Sequence, residues 1–379
     1  MKIAINAHLL TSSKEGGVLN YGVNILKHLL QVDTVNDYLF ISGGSIRHRL
    51  NIDEKQEHLL KLNLGSSLAT TFAVSRFGFA RAFKNLKCDL AFIPWVVPFS
   101  TTPSIVFVHD LVPLQTVDRE VDRHHQRFLS RVNFTLFANR YAKNAAMLIA
   151  NSLDTKKAIL ETCAVSSEKI KVIPLGIDPQ FFYRRPDEEV EKVKHRYHLS
   201  RPYFINMASG WHPRKNLGRL IEAFAQFAEK NAEIDLVITG KSGPSFAEMQ
   251  ERIAKHGLQD RVHLLEFVAI EDLPALLTGA LSLVFPSLHE GFGLPVLEAM
   301  GCGCPAIISS AGALPEVGGD AGLYIDPYAI DSIASAMHTV ADSATIRKEM
   351  AHKSLQRVQL FTWEKAAEQT LAAFHEATR

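Results

Sequence analysis

Apolar residues in this chain fall into short, dense runs separated by longer stretches where they recur every three or four positions. The runs Ile3–Ala7, Tyr38–Ile41, Leu90–Ile93, Ile105–Val108, Met147–Ala150 and Lys171–Ile173 have the length and content of buried strands. A second series follows at Phe204–Met207, Leu236–Thr239, Val262–Leu264, Leu281–Phe285, Ala306–Ser309 and Leu323–Ile325. Between them, Tyr21–Leu30, Asp154–Thr162, Leu217–Lys230, Phe246–His256 and Asp331–Ala341 carry the helical period. Strand and helix in alternation predict an α/β protein whose parallel sheets are covered on both faces. Two series of similar size predict two Rossmann-like domains rather than one long sheet. The turn-rich Pro174–Pro179 and the charged helical stretch Glu188–His198 put the boundary between Pro174 and Ser200. We place the domains at 1–180 and 181–363.

One stretch carries most of the chemistry. Phe285 to Pro305 reads FPSLHEGFGLPVLEAMGCGCP, with Glu290 and Glu298 eight positions apart. Before it lies the strand Leu281–Phe285, and Pro295 is expected at the first helical position. The order is strand, glycine turn, helix start, with one carboxylate in the turn and one on the helix. Unpaired N–H groups and the positive dipole end at a helix start suit phosphate. Carboxylates beside phosphate are repelled unless their oxygens face hydroxyl groups. A ligand both phosphorylated and polyhydroxylated fits, which describes a nucleotide sugar. A lone Gly-x-Gly would be an ordinary turn; the flanking acids change that weighting.

Glu290-(seven residues)-Glu298 within EGFGLPVLEAMGCGCP resembles the signature of retaining glycosyltransferases of the GT-B fold, in the family 4 grouping. The similarity runs on through Pro315-Glu316, Gly319-Asp320-Ala321-Gly322 and Asp326-Pro327. The resemblance implies two Rossmann-like domains facing each other across a cleft, with the last helix, 364–379, crossing back to the first domain. It implies a nucleotide-diphosphate sugar as donor, bound by the second domain, and an acceptor bound by the first. It further implies Glu298 on ribose hydroxyls, Glu290 on sugar hydroxyls, and backbone from Gly291, Phe292, Gly293 and Leu294 facing sugar and phosphate. Retention by a front-face route, in which the leaving phosphate takes the acceptor proton, follows from the family as well.

Other loops add to this picture. Gly210-Trp-His-Pro-Arg214-Lys215-Asn216 follows a strand and precedes a helix, at the carboxyl edge where open α/β sheets bind ligands. Arg214 and Lys215 there can neutralise a departing diphosphate. The family has a lysine at the Lys215 position, and commonly an arginine where this chain has Ser209. Gly16-Gly17 sits in the first βα loop, where the family closes a Gly-Gly over the donor phosphates. His109, in a strand-His-Asp element, is expected near the transferred sugar. Phe267 and Val268 resemble the segment meeting the base, although Glu266 stands where glycine is common. Lys241-Ser-Gly243 is a further loop on the same edge, and the basic stretch Arg119 to Arg131 suits either an anionic acceptor or solvent.

Composition narrows the classes. Hydrophobic residues are 47%, charged residues 21% and the formal charge is +1, so nothing favours nucleic acid. Cys88, Cys163, Cys302 and Cys304 lack metal-ligand spacing and are expected as buried thiols of a cytoplasmic protein. MKIAINAHLL has no signal-peptide core. Leu68–Leu90 reads first as a core-facing helix with a solvated basic rim; as a basic amphipathic helix it is the stretch through which any membrane contact, peripheral and at the inner face, would be made. We expect no metal and no cofactor. The leading reading is a hexosyltransferase, with UDP-glucose or another UDP-hexose ahead of GDP-mannose, acting on a carbohydrate or lipid-linked acceptor. A nucleotide-sugar epimerase, a phosphorylase and a non-catalytic nucleotide-sugar-binding protein are the alternatives. A nicotinamide dehydrogenase ranks below them, because the first loop lacks Gly-x-Gly-x-x-Gly.

Overall fold

The computed structural model describes residues 1–11, 17–59, 79–94, 103–110, 139–140, 142–208, 211–241, 246–266 and 268–378. Gly16, Ser209, Gly210, Ser242, Gly243, Phe267 and the Arg119 to Arg131 stretch lie outside these residues, as does 68–78 of the Leu68–Leu90 stretch. The chain divides into two compact units, with crossings at Gly176–Ile177 and Thr362–Trp363.

In the first unit, seven strands form one parallel sheet: β1 Lys2–Asn6, β2 Asp37–Ser42, β3 Glu57–Leu59, β4 Leu90–Ile93, β5 Ser104–Val108, β6 Met147–Ala150 and β7 Ile170–Val172. Their order is β3-β2-β1-β4-β5-β6-β7. The strand pattern had predicted six; β3 is the addition. Its Glu-His-Leu sequence has no apolar run because it pairs on one side only, at the edge beside β2. Strands β4 and β6 are buried at every position, as a sheet covered on both faces requires. The terminal helix Trp363–Ala377 packs on the helix Gly17–Val32 in this same unit. Phe374 meets Phe92 at 5.1 Å between ring centroids, and Lys171 pairs with Glu376 at 2.9 Å.

The second unit holds β8 Tyr203–Met207, β9 Asp235–Thr239, β10 Val262–Leu265, β11 Ser282–Phe285, β12 Ala306–Ser309 and β13 Gly322–Ile325. These six lie in the order β10-β9-β8-β11-β12-β13, all parallel. In both sheets the strand order therefore reverses once, between β1 and β4 and between β8 and β11. Chains leave these neighbouring strands toward opposite sides, which opens a crevice at their carboxyl ends. The core under that crevice is built from Phe204, Leu220, Phe224, Phe227, Leu236, Ile238 and Val284, all fully buried.

Candidate active site

The loops after β8 and β11 meet at the reversal point of the second sheet. After β8, Trp211 is fully buried and stacks on Phe246 at 5.1 Å, which anchors the start of the loop. A short 3-10 turn, Pro213–Lys215, then presents Arg214 and Lys215. Asn216 closes it in the left-handed conformation, φ 60° and ψ 32°, and begins the helix Leu217–Ala228. Its buried amide donates to the carbonyls of Pro286, at 3.1 Å, and Pro327, at 2.6 Å. One side chain thus ties together the loops after β8, β11 and β13. Two more bonds stitch the first pair: Leu288 N–H donates to the Arg214 carbonyl at 2.9 Å, and the Arg214 guanidinium to the His289 carbonyl at 3.2 Å.

These loops bring Glu290 to both cations. Lys215 Nζ lies 2.7 Å from Glu290 Oε1, and an Arg214 guanidinium nitrogen lies 2.8 Å from Oε2. Lys215 is 4% exposed and Glu290 8%, so water screens these pairs weakly. Nζ also stands 5.0 Å above the Phe285 ring. Burial alone would raise the Glu290 carboxyl, but the charges and hydrogen bonds of Lys215 and Arg214 outweigh it and hold it at about 2. The group is ionised across the physiological range.

Beyond Glu290, Gly293 takes φ 109°, and a β-carbon there would lie 2.6 Å from Leu314 Cδ2. Gly312 has φ 60°, and its β-carbon would lie 2.8 Å from the Glu290 carbonyl oxygen. Glycine at these two positions lets the 310–314 segment press against the turn and accept its geometry. The Ala313 N–H donates to that same carbonyl at 3.1 Å. The helix itself runs Leu294–Gly301, so Pro295 is its second residue rather than its first. Gly293 is the cap, and the left-handed turn it makes starts the helix one position earlier than proline alone implied. Among the described residues, nothing accepts from the N–H groups of Phe292, Gly293 or Leu294. These donors and the helix dipole make an anion-seeking end.

Glu298 follows on the second turn of this helix, partly exposed. Desolvation pushes its carboxyl up to about 7, since no cation pairs with it among the described residues. Two carboxylates in one motif therefore have opposite environments. Glu290 is an obligate anion, and Glu298 is half protonated near neutrality.

In the first unit, Gly17 is the first residue of the helix Gly17–Val32. His109 follows β5, its Nε2 2.8 Å from the Pro94 carbonyl and its own carbonyl accepting from Asn151 at 2.7 Å. A carbonyl only accepts, so Nε2 carries the proton and Nδ1 keeps its lone pair. Burial lowers the imidazole to about 4, against the opposing pull of the Pro94 bond, so the ring is neutral at pH 7. It packs edge-on to Tyr21, at 4.9 Å, and against Phe107, at 4.7 Å. Val268 lies partly buried in the loop after β10. Asn216, Gly312 and Asn151 had no assigned part in the sequence reading. An asparagine directly before a helix, following a basic pair, is the signal that could have singled out Asn216. Among the described residues, no group of three or more His, Cys, Asp or Glu is placed to hold a metal, and no helix is long and apolar enough to cross a membrane.

Comparison with known proteins bears on this geometry. The family model of glycosyl transferases group 1 matches residues 188–357, and that of glycosyltransferase family 4 matches residues 55–181. Over 287 residues the chain is 31% identical to the MMP alpha-(1->4)-mannosyltransferase of Mycolicibacterium hassiacum, which covers 73% of this chain and 66% of that one. It is 29% identical over 232 residues to the O-antigen chain mannosyltransferase B of Escherichia coli, 61% of each chain. The matched parts are thus just under two thirds of these relatives' own length. Among solved structures, a sucrose-phosphate synthase from Thermosynechococcus elongatus is similar with a TM-score of 0.76 and 20% identity, covering 99% of this chain and 98% of that one. Anabaena HepE, in complex with UDP and glucose, is similar with a TM-score of 0.75 and 21% identity, covering 99% and 100%. Those two likenesses establish the fold as GT-B. With both family models matched in sequence, and their motif residues gathered at the reversal point of the second sheet, the chain belongs to the glycosyl transferases group 1, family 4 glycosyltransferases.

Proposed function

We propose that this protein transfers a hexosyl group from a nucleotide-diphosphate sugar to an acceptor hydroxyl, with retention of anomeric configuration and without a metal. One observation carries the reading. Arg214 and Lys215 converge with Glu290 beside the open N–H groups that start the helix Leu294–Gly301. Cations and N–H donors suit the diphosphate, whose charge grows as the anomeric C–O bond breaks. That is the electrostatic task a metal would otherwise perform. Glu290 keeps lone pairs for sugar hydroxyls, and Glu298, able to accept and when protonated to donate, suits the ribose. His109 offers Nδ1 as an acceptor for a substrate hydroxyl. As the acceptor oxygen bonds the anomeric carbon on the face the diphosphate leaves, its proton passes to the leaving phosphate oxygen. Val268, Phe267 and the Gly16-Gly17 loop are assigned to the base and the phosphates on the family resemblance.

For the sugar, the relatives' names support mannose, which moves GDP-mannose level with or ahead of the UDP-hexoses expected first. The O-antigen relative likewise supports a cell-surface polysaccharide as the acceptor. The test is turnover with UDP-glucose, UDP-galactose and GDP-mannose, with and without a panel of mannosides and lipid-linked glycans. Nucleoside diphosphate should appear only when donor and acceptor are both present, and the product linkage should keep the donor's anomeric configuration. Acceptor-independent conversion of the donor would favour the epimerase instead. Binding without turnover on any acceptor would favour the non-catalytic reading.

A further inference from the structure

Glu290 does more in this geometry than stand near two cations. Each of its oxygens is held by a different one, Oε1 by Lys215 and Oε2 by Arg214. The carboxylate comes from the loop after β11 and the cations from the loop after β8, 75 positions away in sequence. Its backbone is fixed too, with its carbonyl bonded to Ala313 and Gly312 pressed against it. The side chain therefore has little freedom to swing clear when a ligand arrives. A diphosphate that reaches Lys215 and Arg214 meets cations whose charge is already partly neutralised by a buried anion. Two effects follow from one carboxylate. It aims two long, flexible side chains in one direction, and it weakens the attraction they exert on a second anion.

We propose that Glu290 is a positioning residue for Lys215 and Arg214 that also attenuates their hold on the nucleoside diphosphate, so that the leaving group departs after transfer. This rests on the nucleotide-sugar reading of the site and adds to it a part in product release. A site built of cations alone would bind the product diphosphate more tightly than the donor, because the product carries more charge. Turnover would then be limited by release. The internal anion removes that trap while leaving the cations aimed.

The experiment is calorimetric titration of the full chain with UDP and GDP, and with UMP and GMP as controls, comparing wild type with Glu290→Gln. The amide keeps the shape and one acceptor oxygen but loses the charge. The variant should bind its preferred nucleoside diphosphate about tenfold more tightly, roughly 1.4 kcal/mol. Its affinity should also fall more steeply with added salt, and the monophosphate should change much less. A damaged fold cannot produce a gain in affinity, so the readout separates this role from a merely structural one. Glu290→Asp, which draws the charge back by one methylene, should gain about threefold; it decides the matter if the amide variant does not fold. Equal or weaker diphosphate binding in the folded variants overturns the inference while leaving the nucleotide reading intact. Failure of the wild type to bind any nucleoside diphosphate overturns both.

Discussion

The two sheets share an architecture but differ in what they gather at the point where strand order reverses. In the second unit the loops after β8 and β11 bring together two cations, one buried anion and a helix start. In the first unit, His109 after β5 is a neutral imidazole held by the carbonyl of Pro94, which follows β4 at the reversal, and packed against Tyr21 and Phe107. The same fold thus places a cluster of charges beside one reversal and a neutral hydrogen-bonding imidazole beside the other. Fold alone does not decide chemistry; the loop residues do. The charged edge suits a ligand bearing phosphate. His109 suits discrimination among hydroxyls, because a neutral imidazole with a fixed tautomer presents one acceptor and no charge.

Substitutions on either side should separate these tasks. Lys215→Ala removes one of the two cations proposed to meet the diphosphate and takes from buried Glu290 the partner of its Oε1. Transfer should fall by about 10²–10³-fold in kcat/KM, with a matching loss of nucleoside diphosphate affinity by calorimetry. His109→Ala should lower kcat by about 10–100-fold, at or below the low end of what a positioned acid–base group contributes, because the neutral imidazole only accepts a hydrogen bond from substrate. Here nucleoside diphosphate affinity should stay within about twofold of wild type. If His109→Ala weakened the diphosphate as much as Lys215→Ala does, the division between the charged cluster and the neutral imidazole would fail.

Much of this site could be read from sequence, for identifiable reasons. Glu290, Gly293 and Glu298 lie within one nine-residue stretch, and their spacing already sets a turn and a helix. Arg214 and Lys215 were legible because they follow a buried strand. Their union with Glu290 was not, since it depends on β8 and β11 being neighbours across 75 positions. The environments of the two acids were hidden for the same reason. Glu290 is held at about 2 by partners on another loop, whereas Glu298 is raised to about 7 by tertiary burial. At the fold level, β3 escaped because three residues with one apolar member carry no period. The Pro295 offset escaped because the left-handed turn at Gly293 sets the helix start.

Asn216 offers a smaller effect that tests how rigid the charged edge must be. Its amide bonds two carbonyls on different loops, and both would be left unpaired in Asn216→Ala. Alanine also tolerates the left-handed backbone poorly. Unfolding by denaturant should show a loss of about 2–3 kcal/mol, consistent with unmet buried hydrogen bonds. Asn216→Gly relieves the backbone but not the carbonyls, so it should lose less, by roughly 1 kcal/mol. Equal losses in the two variants would mean the hydrogen bonds carry the whole effect.

The smallest effect concerns Glu298, and its sign is opposite to that of Glu290. The Glu298 carboxyl has a folded value of about 7 against an ordinary 4.5. Between those values the native state holds a proton that the unfolded chain has lost, so stability falls as pH rises from 4.5 to 7 and then levels. Glu290, depressed to about 2, adds stability above 4.5 that disappears only as pH drops from there toward 2. The two windows do not overlap, so they can be measured in one protein. Glu298→Gln should remove the upper slope and make the variant more stable than wild type above pH 7, by about 1–2 kcal/mol after allowing for partial solvent contact. Denaturant midpoints at pH 4 and pH 8 would check this: the variant's advantage should be near zero at the first and full at the second. Ribose hydroxyls donated to the carboxylate favour its ionised form, so nucleotide binding at pH 7 should release a fraction of a proton. Calorimetry in buffers of different ionisation enthalpy measures that fraction, and it should vanish in Glu298→Gln. Proton release that persists in the variant would assign the linkage to another group and remove Glu298 from the ribose.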